Sequence, residues 1–183
     1  MVVDRLIHCP RRQWEQSREP RWTSSTKPLI LAAMSDTWLI VFAEDPFYEP
    51  SNAVQTQALE VFTRLLPAAD DVRSKISADV RLIDCGDNFE SVSCPACGAL
   101  VETEWWQEQM EQDYDNGFRL RPLQLPCCGQ RRALHQLVYQ WPQGFARFSM
   151  QARNPRIEGL SGAEIQQLEA VIGCRVRIVW QHL

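Results

Sequence analysis

The sequence predicts an α+β protein with a mixed or mainly antiparallel sheet and about four helices. Along residues 34–183, apolar runs of strand length alternate with segments of helical spacing. Four cysteines interrupt this pattern in two paired groups, Cys94-Pro-Ala-Cys97-Gly98 and Pro126-Cys127-Cys128-Gly129. Such pairs are typical of zinc knuckles, so we expect a zinc-knuckle or ribbon-like insert in the middle of the domain.

The 183 residues suit one domain, since a chain of this length buries roughly 70% of its unfolded surface. Residues 1–33 contain three prolines and no sustained period, which predicts a flexible or poorly ordered arm. Met34 could be the true start, in which case the arm is an over-extended start. The alternative is an arm that packs Trp14 and Trp22 on the domain. We expect residues 34–183 to form a single zinc-binding domain.

The first half of the domain contains two predicted strands and one predicted helix. The continuous apolar run Thr37–Ala43 indicates a buried strand. A helix is expected from residue 51 or 52 to residue 66, because Ser51 can cap it and Pro67 ends it. A short strand is expected at 80–85, followed by a polar turn that leads into the first cysteine pair.

The middle of the chain is predicted to contribute two helices and one strand. Trp106, Met110 and Tyr114 recur every four residues, which favours a helix with one apolar face, capped by Thr103 and running to about Tyr114. Residues 118–125 are expected to form a strand kinked at a proline and leading to the second cysteine pair. Residues 131–139 are expected to form a short helix.

The C-terminal part is predicted to be strand, helix, strand. Gly144–Arg153 alternates apolar and polar residues, which indicates a half-exposed strand. Ser161 and Glu164 form a capping-box pattern that opens a helix at 161–172, and Gly173 can end it. A last alternating strand is expected at 176–180.

The four paired cysteines predict one structural Zn²⁺ ion, because two thiol pairs suit a tetrahedral sulfur site. Cys127 is the least certain ligand, since adjacent strand residues point to opposite sides unless Pro126 begins a turn. His135 is the main alternative to it, and Cys85 is a more remote one. The Cys-Pro-Ala-Cys sequence is also compatible with a redox centre, but a second thiol pair has no role there.

The sequence contains few groups for acid–base catalysis. The chain has three histidines and lacks P-loop, GxSxG and HExxH patterns, so a non-catalytic role is favoured. A zinc-dependent hydrolase remains an alternative, with Glu90 or Asp87 as general base and Asp84 as a further carboxylate.

Charge is distributed unevenly along the chain. Residues 34–93 carry eleven acidic and four basic groups, so we expect an acidic face that binds a basic protein partner. An immunity or regulatory protein fits this expectation. Nucleic acid is disfavoured, although four arginines near the second cysteine pair keep a zinc-ribbon nucleic-acid binder open as an alternative; they are Arg119, Arg121, Arg131 and Arg132.

Tryptophans near the cysteines allow two interpretations. Trp105 and Trp106 could pack beside the metal, or Trp105 could join Tyr139, Trp141 and Phe145 in a patch that binds a partner. An odd number of cysteines, four of them with metal-like spacing, fits a reducing cytoplasmic compartment. The longest apolar runs are too short to span a bilayer, so no membrane association is expected.

The order of the motifs resembles a family of uncharacterised bacterial proteins with paired CPxCG and PCCG elements. The resemblance covers roughly residues 36–183. It rests on the Asp84–Glu90 segment, the two cysteine pairs, Trp105-Trp106, the segment from Trp141 to Phe148 and Asn154-Pro155. It implies a bacterial, cytosolic zinc protein and carries no activity. A typical zinc ribbon has two CxxC pairs, whereas this chain has adjacent cysteines in the second.

Overall fold

A computed structural model describes residues 36–183, and the predicted arm at residues 1–33 lies outside the described residues. In chain order the elements are β1 (Thr37–Ala43), α1 (Asn52–Leu65), β2 (Asp71–Ile83), β3 (Ser91–Ser93), α2 (Thr103–Tyr114), β4 (Leu123–Gln124), β5 (Arg131–Arg132), a 3₁₀ turn (Leu134–Gln136), β6 (Val138–Gln140), β7 (Gly144–Arg153), α3 (Gly162–Ile172) and β8 (Val176–His182). The predicted α+β class with antiparallel sheets is confirmed. The described residues form three α-helices, not about four.

The main sheet has four strands in the order β2-β7-β1-β8, and all three neighbouring pairs are antiparallel. Along the chain, its elements follow the order β1-α1-β2-β7-α3-β8. This is the βαββαβ order of the split βαβ, or ferredoxin-like, arrangement. The connection between its second and third strands, residues 84–143, is long and forms what we call the inserted lobe; it contains α2 and two small two-stranded sheets.

Local signals in the sequence explain where α1 and α3 begin and end. The Ser51 hydroxyl accepts a hydrogen bond from the N–H of Val54 at the start of α1. In α3 the predicted capping box between Ser161 and Glu164 is present, and Gly173 ends the helix in the left-handed conformation with φ 86°. Both helices pack on one face of the sheet, where a buried cluster joins α1, α3, β1 and β7.

The hairpin of β2 and β7 has an irregular middle. Ile76 pairs with Phe148, and the next paired residue of β2, Arg81, pairs with Ala146. Five residues of β2 therefore span two residues of β7, which forms a bulge in β2. Arg147 contacts the bulge through its side chain, because its Nε donates to the Ser77 carbonyl. Its backbone N–H donates instead to the Pro46 carbonyl in the loop after β1. The extra residues allow the far end of the hairpin to bend.

The far end of this hairpin folds over the second face of the sheet. Ile83 and Ala146 belong to one buried cluster with Ile40 and Phe42 of β1. Just beyond β2, Gly86 pairs with His182 of β8, the strand at the opposite edge. The inserted lobe therefore leaves the sheet beside β8 rather than beyond the end of β2.

The Gly86–His182 pairing requires glycine for two reasons. Gly86 has φ 66°, a conformation that side chains with a Cβ rarely adopt. A Cβ at this position would also lie 2.4 Å from the His182 carbonyl oxygen, which is a backbone atom and cannot move aside.

Several predicted elements are wrong. Residues 131–139 are not a helix: Arg131–Arg132 pairs with Leu123–Gln124, and Val138–Gln140 pairs with Ser91–Ser93. The strand expected at 118–125 is paired only at its last part, because Phe118 has a positive φ of 50° that breaks extended geometry.

The lengths and exposure of the main strands also differ from expectation. β2 begins at Asp71 rather than at residue 80. β7 is not half-exposed, because its polar residues Ser149 and Gln151 are buried along with its apolar ones. The alternating sequence of β7 therefore does not predict how deeply this strand is buried.

Candidate metal centre

The first pair of predicted ligands lies on a tight turn of the inserted lobe, which we call the first cysteine turn (residues 94–99). The N–H of Cys94 donates to the Ala99 carbonyl at 2.8 Å, and the N–H of Gly98 donates back to the Cys94 carbonyl at 2.9 Å. Gly98 has φ 73° with open space around it, so it is needed for its backbone conformation. The turn brings Cys94 and Cys97 to one side of the backbone.

The second cysteine turn (residues 125–130) repeats this geometry with a different ligand position. The N–H of Leu125 donates to the Gln130 carbonyl, and the N–H of Gly129 donates to the Leu125 carbonyl, both at 2.9 Å. Leu125 therefore corresponds to Cys94 of the first turn, and it is buried in the core of the lobe. Cys127 occupies the third position of the turn, which alanine fills in the first.

The two turns bring the four thiols into one cluster. The Sγ atoms of Cys94 and Cys128 are 3.7 Å apart, and those of Cys97 and Cys127 are 3.5 Å apart. All four sulfur atoms lie within 4.8 Å of one another. Metal–sulfur bonds of about 2.3 Å in a tetrahedron place the sulfurs about 3.8 Å apart. The four thiols could therefore hold a metal ion.

The thiols differ in how readily they ionise. Burial opposes ionisation of Cys94, but N–H groups of Cys97 and Ala96 donate towards its sulfur and lower the pKa of this thiol to about 7. Loss of hydration, reinforced by the neighbouring thiols, raises the pKa of Cys127 to about 12. A metal ion binds the thiolate forms, so metal binding must displace protons from this cluster.

The two alternative ligands lie elsewhere in the structure. His135 lines a cavity of about 620 Å³ together with Asp45, Cys174 and Arg177. Burial lowers the pKa of His135, and the Asp45 carboxylate partly opposes this shift. Cys85 is buried in the cluster between the sheet and the bent hairpin. Neither side chain belongs to the group of four thiols.

The carboxylates considered as general bases are engaged apart from the thiols. Glu90 accepts a hydrogen bond from Trp141 Nε1 at 2.8 Å, and Asp84 accepts one from Gln181 Nε2 at 2.7 Å. Strand β3 lies between Glu90 and Cys94, which separates their Cα atoms by about 13 Å. Asp87 is exposed on the turn before this strand. Within residues 36–183, the thiol cluster includes no carboxylate.

Trp106 lies in the core of the inserted lobe, as expected. Its ring stacks on Phe89 at a centroid distance of 4.8 Å, and its Nε1 donates to the Tyr139 hydroxyl at 3.4 Å. That hydroxyl in turn donates to the Leu134 carbonyl at 2.8 Å. This buried chain of contacts joins α2, the 3₁₀ turn and β6.

The predicted aromatic patch does not form. Tyr139 and Phe145 are buried in the lobe core, and Trp105 packs against the same core. Of the four predicted members, Trp141 has the greatest exposure, at 41%. With two of its four members buried, the predicted patch is absent from the surface of residues 36–183.

The acidic face predicted for residues 34–93 is partly neutralised, because five of the eleven carboxylates in this segment have a basic partner. Five of its carboxylates form ion pairs with arginines: Asp36–Arg153, Glu44–Arg175, Glu49–Arg147, Asp70–Arg156 and Asp71–Arg73. Four of these arginines come from β7 and the segments that follow it. Carboxylates and arginines that are distant in sequence thus meet on the folded surface. The net charge of one sequence segment is therefore a poor guide to the charge of the surface that it forms.

Two charged surfaces on the inserted lobe stay without such partners. The exposed face of α2 and its C-cap residue form an acidic stripe of Glu104, Glu108, Glu111 and Asp115, at spacings of four, three and four residues. The second surface is the basic hairpin, which carries Arg119, Arg121, Arg131 and Arg132 around β4 and β5. No ion pair joins either set to another charged side chain of residues 36–183. The acidic stripe was overlooked in the sequence, although its spacing is visible there.

Comparison of the chain with protein-family models, with curated proteins and with solved structures gives no match. Among residues 36–183, each helix is too short or too polar to cross a membrane. The functional interpretation therefore depends on the geometry of the inserted lobe.

Proposed function

We propose that the chain is a non-catalytic protein-interaction module, of an immunity or regulatory type, stabilised by one structural Zn²⁺ ion. Cys94, Cys97, Cys127 and Cys128 are the proposed ligands, and the inserted lobe is the proposed zinc-ribbon-like unit. The close approach of these four thiols carries the proposal. Zinc favours tetrahedral sulfur sites, and four thiolates leave no open position for water or substrate.

The metal would join the two cysteine turns, which are distant in sequence and contact the lobe core on one side only. In small peptides, structural zinc contributes about 10–16 kcal/mol of apparent binding free energy. The net gain should be smaller here, because the lobe has a buried core that includes Trp106, Met110 and Phe118. A reducing, cytoplasmic compartment fits this use of thiolates.

Elemental analysis of the purified chain tests the metal, and X-ray absorption tests its ligands. The proposal predicts one zinc per chain with four sulfur neighbours at about 2.3 Å. Three sulfurs and one oxygen neighbour would instead favour the zinc-dependent hydrolase, in which water occupies the fourth position.

We propose that the partner is a basic protein that binds the acidic stripe of α2. The stripe faces away from the buried side of the helix, which carries Trp106 and Met110. Between residues 84 and 117 the chain has nine acidic residues and no lysine or arginine. Complementary charge of this kind steers association and disfavours acidic competitors.

Charge reversal tests this surface. Glu108→Lys with Glu111→Lys should weaken binding of a fluorescent oligolysine peptide at low salt. The matched control, Glu60→Lys with Glu158→Lys, makes the same change in net charge at exposed positions outside the lobe. Equal weakening by both variants would contradict a localised surface. A pull-down from the native host that recovers no protein partner would contradict the proposed role.

A nucleic-acid binder is the second candidate, favoured by the basic hairpin. Its four guanidinium groups have no carboxylate partner among residues 36–183, whereas five other arginines do. Phosphate contacts would make binding steeply salt-dependent. Failure to bind DNA or RNA oligonucleotides at low salt would remove this candidate. The same hairpin could instead offset the negative charge of zinc bound by four thiolates.

A further inference from the structure

We infer that the four thiols are also a site of oxidative modification, at which hydrogen peroxide forms two disulfides, Cys94–Cys128 and Cys97–Cys127. These bonds would replace the metal as the link between the first and second cysteine turns. The inference deepens the proposed function and rests on the proposed zinc site. It is carried by the accessibility of the thiols and by the distances between them.

Access to the thiols is open on one side of the cluster. Cys97, Cys127 and Cys128 are exposed, whereas Cys94 is 1% exposed and forms the inner corner. A small, polar oxidant such as hydrogen peroxide can therefore approach three of the four cysteines without unfolding of the lobe. Metal-bound thiolates stay nucleophilic, and the thiolate is the form that peroxide oxidises.

Chain geometry selects the pairing. Four cysteines allow three connectivities. The one that joins Cys94 to Cys97 leaves Cys127 and Cys128 to pair, but adjacent Cα atoms are about 3.8 Å apart, below the usual disulfide range of about 4.4–6.8 Å. Full oxidation therefore requires two bonds between the turns.

Two close sulfur contacts favour one of the two remaining connectivities. The Sγ contacts at 3.7 Å and 3.5 Å join Cys94 to Cys128 and Cys97 to Cys127. Forming these bonds requires the sulfur atoms to approach by less than 2 Å, to about 2.0 Å. The two disulfides would lie side by side, in the space that the proposed metal ion would occupy.

The chemistry balances with peroxide as the oxidant. A thiolate attacks one peroxide oxygen, the O–O bond breaks, and the products are a sulfenic acid and hydroxide. The facing thiolate then attacks the sulfenic sulfur, forms the S–S bond and expels a second hydroxide. Two peroxide molecules thus take four electrons from four thiolates and give two disulfides and four hydroxide ions. Disulfide sulfurs are poor metal ligands, so the proposed Zn²⁺ ion would be released.

Because both bonds join one cysteine turn to the other, the oxidised lobe should stay closed after zinc has left. Removal of zinc by a chelator under reducing conditions leaves the turns without any covalent or metal link. The two metal-free forms are therefore expected to differ, with the disulfide form resisting proteolysis and the reduced form being cleaved.

The test uses the full chain with Cys9→Ser and Cys174→Ser, which removes two thiols outside the cluster. Zinc is measured before and after titration with hydrogen peroxide, using a chromophoric chelator. Tandem mass spectrometry then places each bond by backbone cleavage between Cys94 and Cys97 and between Cys127 and Cys128. We expect release of one zinc per chain, consumption of two peroxides and the two predicted disulfides.

Other outcomes would overturn the inference. These are a Cys94–Cys97 bond, sulfinic acids in place of disulfides, or zinc retained in excess peroxide. A chain that purifies without zinc contradicts the proposed function, but its oxidised peptides still report the pairing. Two-thiol variants give a second measurement: Cys94 with Cys128 should cross-link faster than Cys94 with Cys127. Equal rates would contradict the predicted pairing.

Discussion

Alanine at position 144 should destabilise the sheet, because its methyl group would collide with one buried ring. A Cβ on Gly144 would lie 2.5 Å from both Cε2 and Cζ of Phe42, whereas ordinary contacts begin near 3.4 Å. The shortfall is thus 0.9 Å at two atoms. Phe42 is 2% exposed, so its ring has no solvent into which it can move.

The size of the effect follows from two opposing terms. Overpacking of a filled core costs about 1–3 kcal/mol. Replacing glycine by alanine lowers the entropy of the unfolded chain and returns about 0.4–1 kcal/mol. We expect the free energy of unfolding of Gly144→Ala to fall by about 1–2 kcal/mol, measured by urea denaturation.

A double-mutant cycle identifies the cause. Phe42→Leu removes the two colliding ring atoms, so Gly144→Ala should cost little in that background, with a coupling energy of about 1 kcal/mol or more. The control is Gly162→Ala at the start of α3, where a Cβ meets nothing within 4 Å. It should be neutral or stabilising. Additive effects of Gly144→Ala and Phe42→Leu, or an unchanged Gly144→Ala, would refute the reasoning.

Three further predictions address the metal, the lobe core and the pH dependence. Cys127→Ser should lose zinc and His135→Ala should retain it in native mass spectrometry. Loss of zinc from His135→Ala but not from Cys127→Ser would identify His135 as the fourth ligand instead. Tyr139→Phe should lower stability by about 1–3 kcal/mol in urea, since it removes a buried hydrogen-bonded hydroxyl; an unchanged midpoint would contradict this. The hydrogen bond that Asn154 donates lowers the pKa of Asp70. The ionised Asp70 carboxylate therefore stabilises the fold at neutral pH, and this stabilisation is lost as pH falls through the lowered pKa. Asn154→Ala should therefore lose less stability than the wild type between pH 7 and pH 3, and equal losses would argue against it.

The elements predicted well are those whose signals are local. Ser161, Glu164 and Gly173 mark both ends of α3 within the helix itself, and the structure shows the expected caps. The helix predicted at 131–139 failed because its residues pair with partners elsewhere. For example, Val138 lies opposite Ser93, and no property of residues 131–139 identifies that partner.

The candidate site was predictable in composition but not in detail. The sequence names all four cysteines, yet it leaves the placement of Cys127 open. The decisive comparison is between CPACG and LPCCG, in which Leu125 stands where Cys94 does. Only the shared hydrogen bonds establish that correspondence. The charged surfaces were harder to predict, because arginines such as Arg153 neutralise carboxylates far away in sequence.

The pairing of Ile83 with Gly144 also determines how the inserted lobe is attached. The chain leaves the hairpin at one of these residues and returns at the other, so the two ends of residues 84–143 lie side by side. A segment with adjoining ends can be shortened, replaced or transplanted as a cassette, and closing a longer or shorter loop costs little entropy. Variation in this cassette would alter binding properties while the βαββαβ scaffold keeps its register.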